Sequence, residues 1–477
     1  MFVSIVLLCI SICFILLLLK SRRPKNFPPG PPAWPVLGNL LYLISKDPLK
    51  NLEKLRQSYG NVYSLFLGSR PVVVINGLKM MKEAMVTKGP HFAGRPQDLL
   101  MNRLTQWKGV ILADYNSAWR EHRRFDLMTL KIFGLGKKSM EDQIHEELHH
   151  TIKILDQSAG KTLSPQVMFH NITSNVIFKF LFGTRYEYDD ENKVRIQRLL
   201  RLTKSQSDAS LPVPLCPLHK YICVFQAFQS FSVSRVNEHK KSRIPGEPRD
   251  FIDCYLEELD KNDASSFSEE QLISQLFDLY LAGTDTTANT LRTAFLYLMN
   301  HPQIQERCQQ EIDQVLEGKD RVTFEDRHNM PYMQAVIHEV QRVANTVPLS
   351  AFHCTTRDTE LLGYSIPKGT MIIQNMMSVL KEEGQWKFPH DFNPENFLNE
   401  QGEFVKPEAF MPFSAGPRMC IGESLASMEL FLIVVTLLRK YKFIWPQDAG
   451  EPDYTMVFAG SLTPKPYNMK IESRSPQ

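Results

Sequence analysis

The chain holds 477 residues, 43% of them hydrophobic, with a formal charge of +3. Such a length can bury a large core, and so mild a charge excludes a chain built to hold nucleic acid. Eight cysteines are scattered without C-x-x-C pairs or zinc spacing, which excludes a disulfide framework and points to a reducing compartment. Length alone would suggest about three domains, but no linker-like stretch follows residue 32, so one large domain is expected.

From Phe2 to Leu19 no residue is charged, and Lys20, Arg22, Arg23 and Lys25 follow at once. The run is just long enough to cross a bilayer at about 1.5 Å per residue. A cleaved signal peptide would carry its positive charge first and end in small residues. The reversed order predicts a single-pass signal anchor over residues 1–25, with the bulk of the protein on the cytoplasmic side. Pro28-Pro29-Gly30-Pro31-Pro32 cannot continue a helix, so residues 26–32 are expected to form a stiff, extended spacer ahead of a globular domain at 33–477. The lone sequon Asn171-Ile172-Thr173 is then a chance match.

Val62–Leu67 and Val72–Ile75 are β-prone runs parted by Gly68-Ser69-Arg70-Pro71, which reads as a hairpin. Strand signals return only near Leu361 to Ile373, so a sheet built from both would join distant parts of the chain. The remainder is mostly helical in pattern, and the expected class is mainly α with a small β portion. Trp119 and Arg123 share one helical face in a basic cluster with Arg120, His122 and Arg124. Taken alone, that is a solvated basic face with a packed tryptophan. Between 200 and 245, Pro212, Pro214 and Pro217 break what should be helices.

Ser268 and Gln271 form a capping box ahead of an apolar-periodic run that continues to Met299 and is stopped by Pro302. In its middle, Ala282-Gly283-Thr284-Asp285-Thr286-Thr287 are poor helix-interior residues, the glycine alone costing about 1 kcal/mol relative to alanine. They mark either a packing kink, with threonines bonded back to their own carbonyls, or a functional site. Glu339 and Arg342 follow at i,i+3 in a helix between Pro331 and Pro348, a spacing common on any helix surface.

Residues Phe413 through Gly422 read FSAGPRMCIG. Gly416 and Pro417 make a tight loop, and the apolar run from Ile421 to Leu438 sets Cys420 at a helix N-terminus. Unpaired N–H groups there, with Arg418 two residues away, favour a thiolate that can bind a soft metal. A lone cysteine in such a place is more often a small buried hydrophobe. The pattern F-x-x-G-x-R-x-C-x-G, met by Phe413, Gly416, Arg418, Cys420 and Gly422, reverses that reading. It resembles the haem-binding loop of the cytochrome P-450 superfamily, the haem-thiolate monooxygenases.

The resemblance implies the cytochrome P-450 fold and haem b (iron protoporphyrin IX), with Cys420 as the proximal iron ligand and Arg418 paired with a haem propionate. Gly416 and Gly422 would let the backbone lie close to the porphyrin. W-x-x-x-R makes Trp119 and Arg123 propionate contacts, and Arg95, in Phe92-Ala93-Gly94-Arg95, and His353 match further ones. Residues 282–287 are similar to the family's A-G-x-D/E-T-T signature, where the glycine beside Ala282 widens a groove for dioxygen. There Thr286 would act on bound oxygen and Asp285 would relay protons, since a threonine hydroxyl is too weak an acid to supply them. Glu339 and Arg342 become a buried pair whose usual third member, an arginine, is replaced here by Asn396 in Pro394-Glu395-Asn396-Phe397.

Thiolate ligation favours O–O cleavage over oxygen carriage, which implies insertion of one oxygen atom from O2 into apolar substrates by hydroxylation or epoxidation. H-E-V-Q-R and P-F-S-A-G-x-R-x-C look most like the second, microsomal family of vertebrates, whose members oxidise xenobiotics and fatty acids. That implies a place at the endoplasmic reticulum membrane. With no G-x-G-x-x-G loop in the chain, electrons must come from NADPH through NADPH–cytochrome P-450 reductase, with cytochrome b5 as a second donor. The basic cluster, with Lys131, Lys137 and Lys138, suits an acidic donor protein. Ala282, Leu349 and Leu462 are the substrate-facing candidates by position. Two rivals stand beside this reading: a haem-thiolate isomerase or sensor that needs no reductase, against which Thr286 and Asp285 argue, and a membrane-tethered binding protein without haem.

Overall fold

The computed structural model describes residues 23–474 apart from 46, 134–137, 159, 192, 195, 198–217, 262–265 and 459. The apolar run Phe2–Leu19, Lys137 and the prolines at 212, 214 and 217 lie outside the described residues. Among the described residues, ten helices of eleven residues or more carry the architecture: α1 Pro48–Tyr59, α2 Ser117–Phe133, α3 Lys138–Gln157, α4 Pro165–Phe182, α5 Leu218–Ser242, α6 Phe251–Lys261, α7 Glu269–Asn300, α8 Pro302–Val315, α9 Pro331–Ala344 and α10 Glu423–Lys440. The class is mainly α with a small β portion, in a single domain, as expected. Residues 218–242, directly after Pro217, form one continuous helix. No described helix is long and apolar enough to cross a membrane.

The predicted hairpin forms from β1 (Val62–Leu67) and β2 (Arg70–Ile75), with Gly68 at φ +63° in a two-residue turn shorter than the sequence suggested. Arg70 and Pro71 therefore lie in the strand. β3 (His353–Cys354) and β4 (Met371–Gln374) complete the sheet in the order β1-β2-β4-β3, with β2 and β4 parallel. The distant halves of the chain are thus joined as expected. Strands at Tyr441–Ile444, Met456–Phe458, Leu462–Pro464 and Met469–Ser473 were missed, because each is only three to five residues long. The proline-rich segment is no free spacer. Ser64 Oγ donates to Pro28 O at 2.6 Å and Ser64 N to Pro29 O at 2.7 Å, while Arg23 Nη2 reaches Pro31 O, so the segment is docked along β1.

α7 is the central helix. Ser268 Oγ accepts from Gln271 N at 3.2 Å, but the Gln271 carboxamide does not return the bond; it brackets Gly109, accepting from its N and donating to its O at 3.1 Å each. Half of the predicted capping box therefore serves to fix a neighbouring loop. The helix then runs without a break through 282–287 to Asn300, with Pro302 starting α8. It packs its aromatic side against α4 and α5, where the Tyr280 ring lies 4.9 Å from Phe178 and 5.0 Å from Phe228. Asn171 is buried on α4, so the sequon has no accessible acceptor.

The pair at i,i+3 on α9 is not a surface bridge. Glu339 and Arg342 are both fully buried, joined by two bonds of 2.7 Å. Asn396 supplies the third member as an amide: its Nδ2 donates to both Glu339 oxygens, at 3.2 and 3.3 Å, and its Oδ1 accepts from Phe388 N at 2.9 Å.

A second buried pair clamps α5 to α6. His239 Nε2 lies 2.7 Å from Asp250 Oδ2 and its Nδ1 2.7 Å from Arg235 O, so both ring nitrogens donate and the ring is an imidazolium. Burial pulls the His239 pKa down, but the bond to and charge of Asp250 outweigh it and the net shift is upward. A raised folded-state pKa adds stability that is fully present below the unfolded value and is lost as pH rises through the folded one. Thermal melts are expected to show the native protein losing its advantage over His239→Gln as pH climbs above the ordinary histidine range.

Candidate active site

The segment Phe413–Gly422 folds back on itself ahead of α10. Gly416 sits at φ +73°, and a Cβ there would fall 1.7 Å from Met85 O, so neither the backbone angle nor the space admits a side chain. Cys420 N donates to Phe413 O at 3.0 Å and closes the loop. Cys420 faces a cavity of about 290 Å³, which leaves its surface exposed although protein crowds its other sides. Burial pushes its thiol pKa up, and the Gly422 N–H and the Arg123 charge only partly offset this. The expected depression by Arg418 is corrected here, because Arg418 turns away from the sulfur to bond backbone carbonyls.

Three guanidiniums converge on one rim of the cavity. Arg418 donates to Ala93 O and Ala113 O at 2.8 Å each and lies 3.9 Å over the Trp119 ring, whose Nε1 donates to Val110 O. Arg123 Nη2 donates to Met419 O at 2.6 Å. Arg95 donates to Ile111 O at 2.7 Å and Ala351 O at 3.0 Å. Burial, and then mutual repulsion with Arg95, brings Arg418 down to about 8, and burial brings Arg95 to about 10. Positive charge buried against itself is stabilised by an anion. His353 is not at this rim: it is buried outside the cavity lining with Nδ1 2.7 Å from Phe92 O, and burial drives its pKa well below the usual value, so the ring is neutral.

α7 forms the facing wall through Ala282, Gly283, Thr286 and Thr287. Thr286 Oγ1 donates to Ala282 O at 2.7 Å, so its hydroxyl is bonded back to its own helix while facing the cavity. Gly283 also meets a packing demand: a Cβ there would lie 2.4 Å from Ile177 Cδ1, so the glycine admits the close approach of α4. Asp285 does not line the cavity. Its Oδ1 lies 3.4 Å from His170 Nε2 on α4, and its Oδ2 accepts from Ser461 Oγ at 2.9 Å and Asn289 Nδ2 at 3.1 Å. Of the substrate-facing candidates only Ala282 reaches the cavity; Leu349 and Leu462 pack in the core beneath the sheet, displaced by neighbours such as Val347 and Ser350.

Sequence reasoning missed Asp278. Its Oδ2 accepts from Val110 N at 2.8 Å and Ile111 N at 2.9 Å, and burial pushes its pKa up to about 6. Its signal was legible, an acidic residue inside the apolar stripe of a central helix. Glu429, buried on the cavity side of α10 with Oε2 unpartnered, was missed as well.

The cavity therefore offers one thiol, apolar walls and a rim of three arginines, of which Arg95 and Arg418 are buried and Arg123 half-buried. Among the described residues the one cluster of three ligating side chains, His239, Asp250 and Asp253, lies elsewhere. With no such cluster around Cys420, a metal there would need a cofactor to complete its coordination, and that cofactor would be apolar with an anionic edge. Haem fits the residues present.

A family model described as Cytochrome P450 matches residues 28–471. The chain is 41% identical to Cytochrome P450 2D10 of Mus musculus, over 96% of this chain and 95% of that protein. It is 42% identical to Cytochrome P450 2D14 of Bos taurus over 97% of each, and 40% identical to Cytochrome P450 2J5 of Mus musculus over 92% of this chain and 90% of that protein. With the sulfur, the arginine rim and the threonine wall on one cavity, and this agreement along nearly the whole length, the chain belongs to the cytochrome P450 family and is a haem monooxygenase, an oxidoreductase.

Proposed function

We propose that the protein inserts one oxygen atom from O2 into apolar substrates, xenobiotics or fatty acids and similar lipids, with haem b as cofactor and with electrons from NADPH through NADPH–cytochrome P-450 reductase. The observation that carries this reading is the placement of the Cys420 sulfur and the Thr286 hydroxyl on one largely apolar cavity. Haem bound there supplies the oxygen activation and one-electron chemistry that no side chain provides.

Cys420 Sγ is the iron ligand in this reading. Arg95, Arg123 and Arg418, with Trp119 stacked beneath Arg418, would hold the propionate carboxylates, which would relieve the crowding of these cations. Phe413, Gly416 and Gly422 shape the loop that presents the sulfur, and Ala282 packs on the opposite side. His353 takes a supporting role instead of a direct contact. With Nδ1–H held on Phe92 O, the neutral ring has only an acceptor left and cannot donate to a carboxylate, so it braces the short helical turn before Arg95. Thr286 keeps its proton on Ala282 O at rest and can turn Oγ1 into the cavity to donate there, while Asp285 is the acid that resupplies it.

Arg120, Arg124 and Lys131 stand with exposed Met128 and Ile132 on the outer side of α2, a basic and apolar surface suited to the acidic reductase and to cytochrome b5. Residues 1–25 are the membrane anchor, joined through the docked proline-rich segment 26–32 to a catalytic domain at 33–477 that faces the cytoplasm from the endoplasmic reticulum. In reconstituted turnover, Thr286→Ala is expected to keep NADPH consumption within about twofold while product falls about 100-fold or more and hydrogen peroxide rises, as a lost proton-transfer group implies. Unchanged product per NADPH would remove Thr286 from the chemistry. Product profiling against a fatty-acid and drug panel identifies the substrate class.

A further inference from the structure

His170 on α4 touches the back of the wall that carries Thr286. Its Nδ1 lies 2.9 Å from Gln166 O, and a carbonyl only accepts, so Nδ1 carries a proton. Its Nε2 lies 3.4 Å from Asp285 Oδ1. Two lone pairs do not attract, so a proton sits between them, as an imidazolium facing a carboxylate or a carboxylic acid donating to a neutral ring. In either form the pair holds one proton. Ser461 and Asn289 donate to the other carboxylate oxygen, so α4, α7 and the segment at 461 fix Asp285 together. The side chains keep 17% and 16% of their exposure, enough for protons to exchange with solvent. Tyr280 and Arg292, also on α7, feel the Asp285 charge as well.

We propose that His170 is a positioning residue for proton supply to the cavity: it holds a shared proton on Asp285 Oδ1, one residue from Thr286, and refills it from solvent. This rests on the reading of Asp285 and Thr286 given above. In the transfer an N–H bond at Nε2 breaks and an O–H bond at Oδ1 forms; the carboxylic acid then gives that proton up toward Thr286, and Nε2 takes a fresh one from a solvent hydronium ion, which is left as water; no electron moves. A purely structural clamp would need only the hydrogen bond, not the proton.

The two roles separate by substitution in the full-length holoenzyme with reductase. Glutamine at 170 can keep a hydrogen bond to Asp285 but cannot deliver a proton, whereas lysine can do both. Product per NADPH is expected to fall about tenfold in His170→Ala and equally in His170→Gln, and to recover in His170→Lys, the loss being smaller than the roughly 100-fold or more that removal of a whole proton-transfer group costs. Independently of turnover, the ring-nitrogen signals of His170 in 15N-histidine-labelled protein, assigned by their loss in His170→Gln, are expected to move in Asp285→Asn. Native coupling in His170→Gln, or signals indifferent to Asp285→Asn, overturns the proposal. Full coupling in Asp285→Asn instead overturns the underlying reading of Asp285, so the two failures are told apart.

Discussion

Arg342→Ala is expected to destabilise the protein by about 3–5 kcal/mol, the cost of stranding a buried charge without its partner. Glu339 would keep only amide and backbone donors, Asn396 Nδ2 and Asn393 N. Burial already pushes its pKa upward despite the opposing bond and charge of Arg342, so removing Arg342 drives it further toward the neutral acid. The guanidinium also donates to Leu380 O at 2.9 Å, Pro389 O at 2.8 Å and Asp391 O at 2.6 Å, so the same change unties α9 from residues 380–391. Urea or thermal denaturation checks this. Replacing both partners with apolar residues, Glu339→Leu with Arg342→Met, is expected to cost less than Arg342→Ala alone, since no charge is left unpaired. A single change costing under about 1 kcal/mol would place the pair among ordinary surface bridges.

The second large effect is expected at Gly416. Alanine there meets a left-handed backbone, worth roughly 1–2 kcal/mol, and a collision with Met85 O that backbone movement alone can relieve. The summed cost is about 3 kcal/mol or more, and it falls on the loop that aims Cys420. Purified Gly416→Ala is expected to carry a much reduced ratio of haem to protein. Gly422→Ala is the contrast, because its Cβ would rest 3.9 Å from Cys420 Sγ in ordinary contact at a negative φ, and it should retain most of its haem. Equal haem content in the two variants would show that the loop tolerates what the geometry forbids.

The chemistry of the site was legible where it depends on residues close in sequence. The Phe413–Gly422 spacing, the pairing of Glu339 with Arg342 and the limits of α7 all follow from local rules of turn, cap and helical period. What the sequence could not reveal depends on which elements meet. The direction of Arg418 is set by carbonyls at Ala93 and Ala113, more than 300 residues earlier, so a cation two positions from the sulfur points away from it. The small size of Gly283 serves Ile177 on α4, and His170 carries no local signal because its partner lies 115 residues away. The proline-rich segment looked like a spacer because its pairing with Ser64 is tertiary. Asn396 was ambiguous for the same reason: an amide substitutes for a cation only when the carboxylate it faces already has one.

The central claim is that the Cys420 sulfur is bonded to haem iron. The direct measurement is the difference spectrum of the reduced full-length protein with carbon monoxide, taken on the native chain and on Cys420→Ser under haem-replete expression. The account predicts the red-shifted Soret band of a thiolate adduct in the native protein and its loss, together with loss of turnover, in the variant. A native protein without haem, or a serine variant that keeps both the band and the turnover, would contradict it.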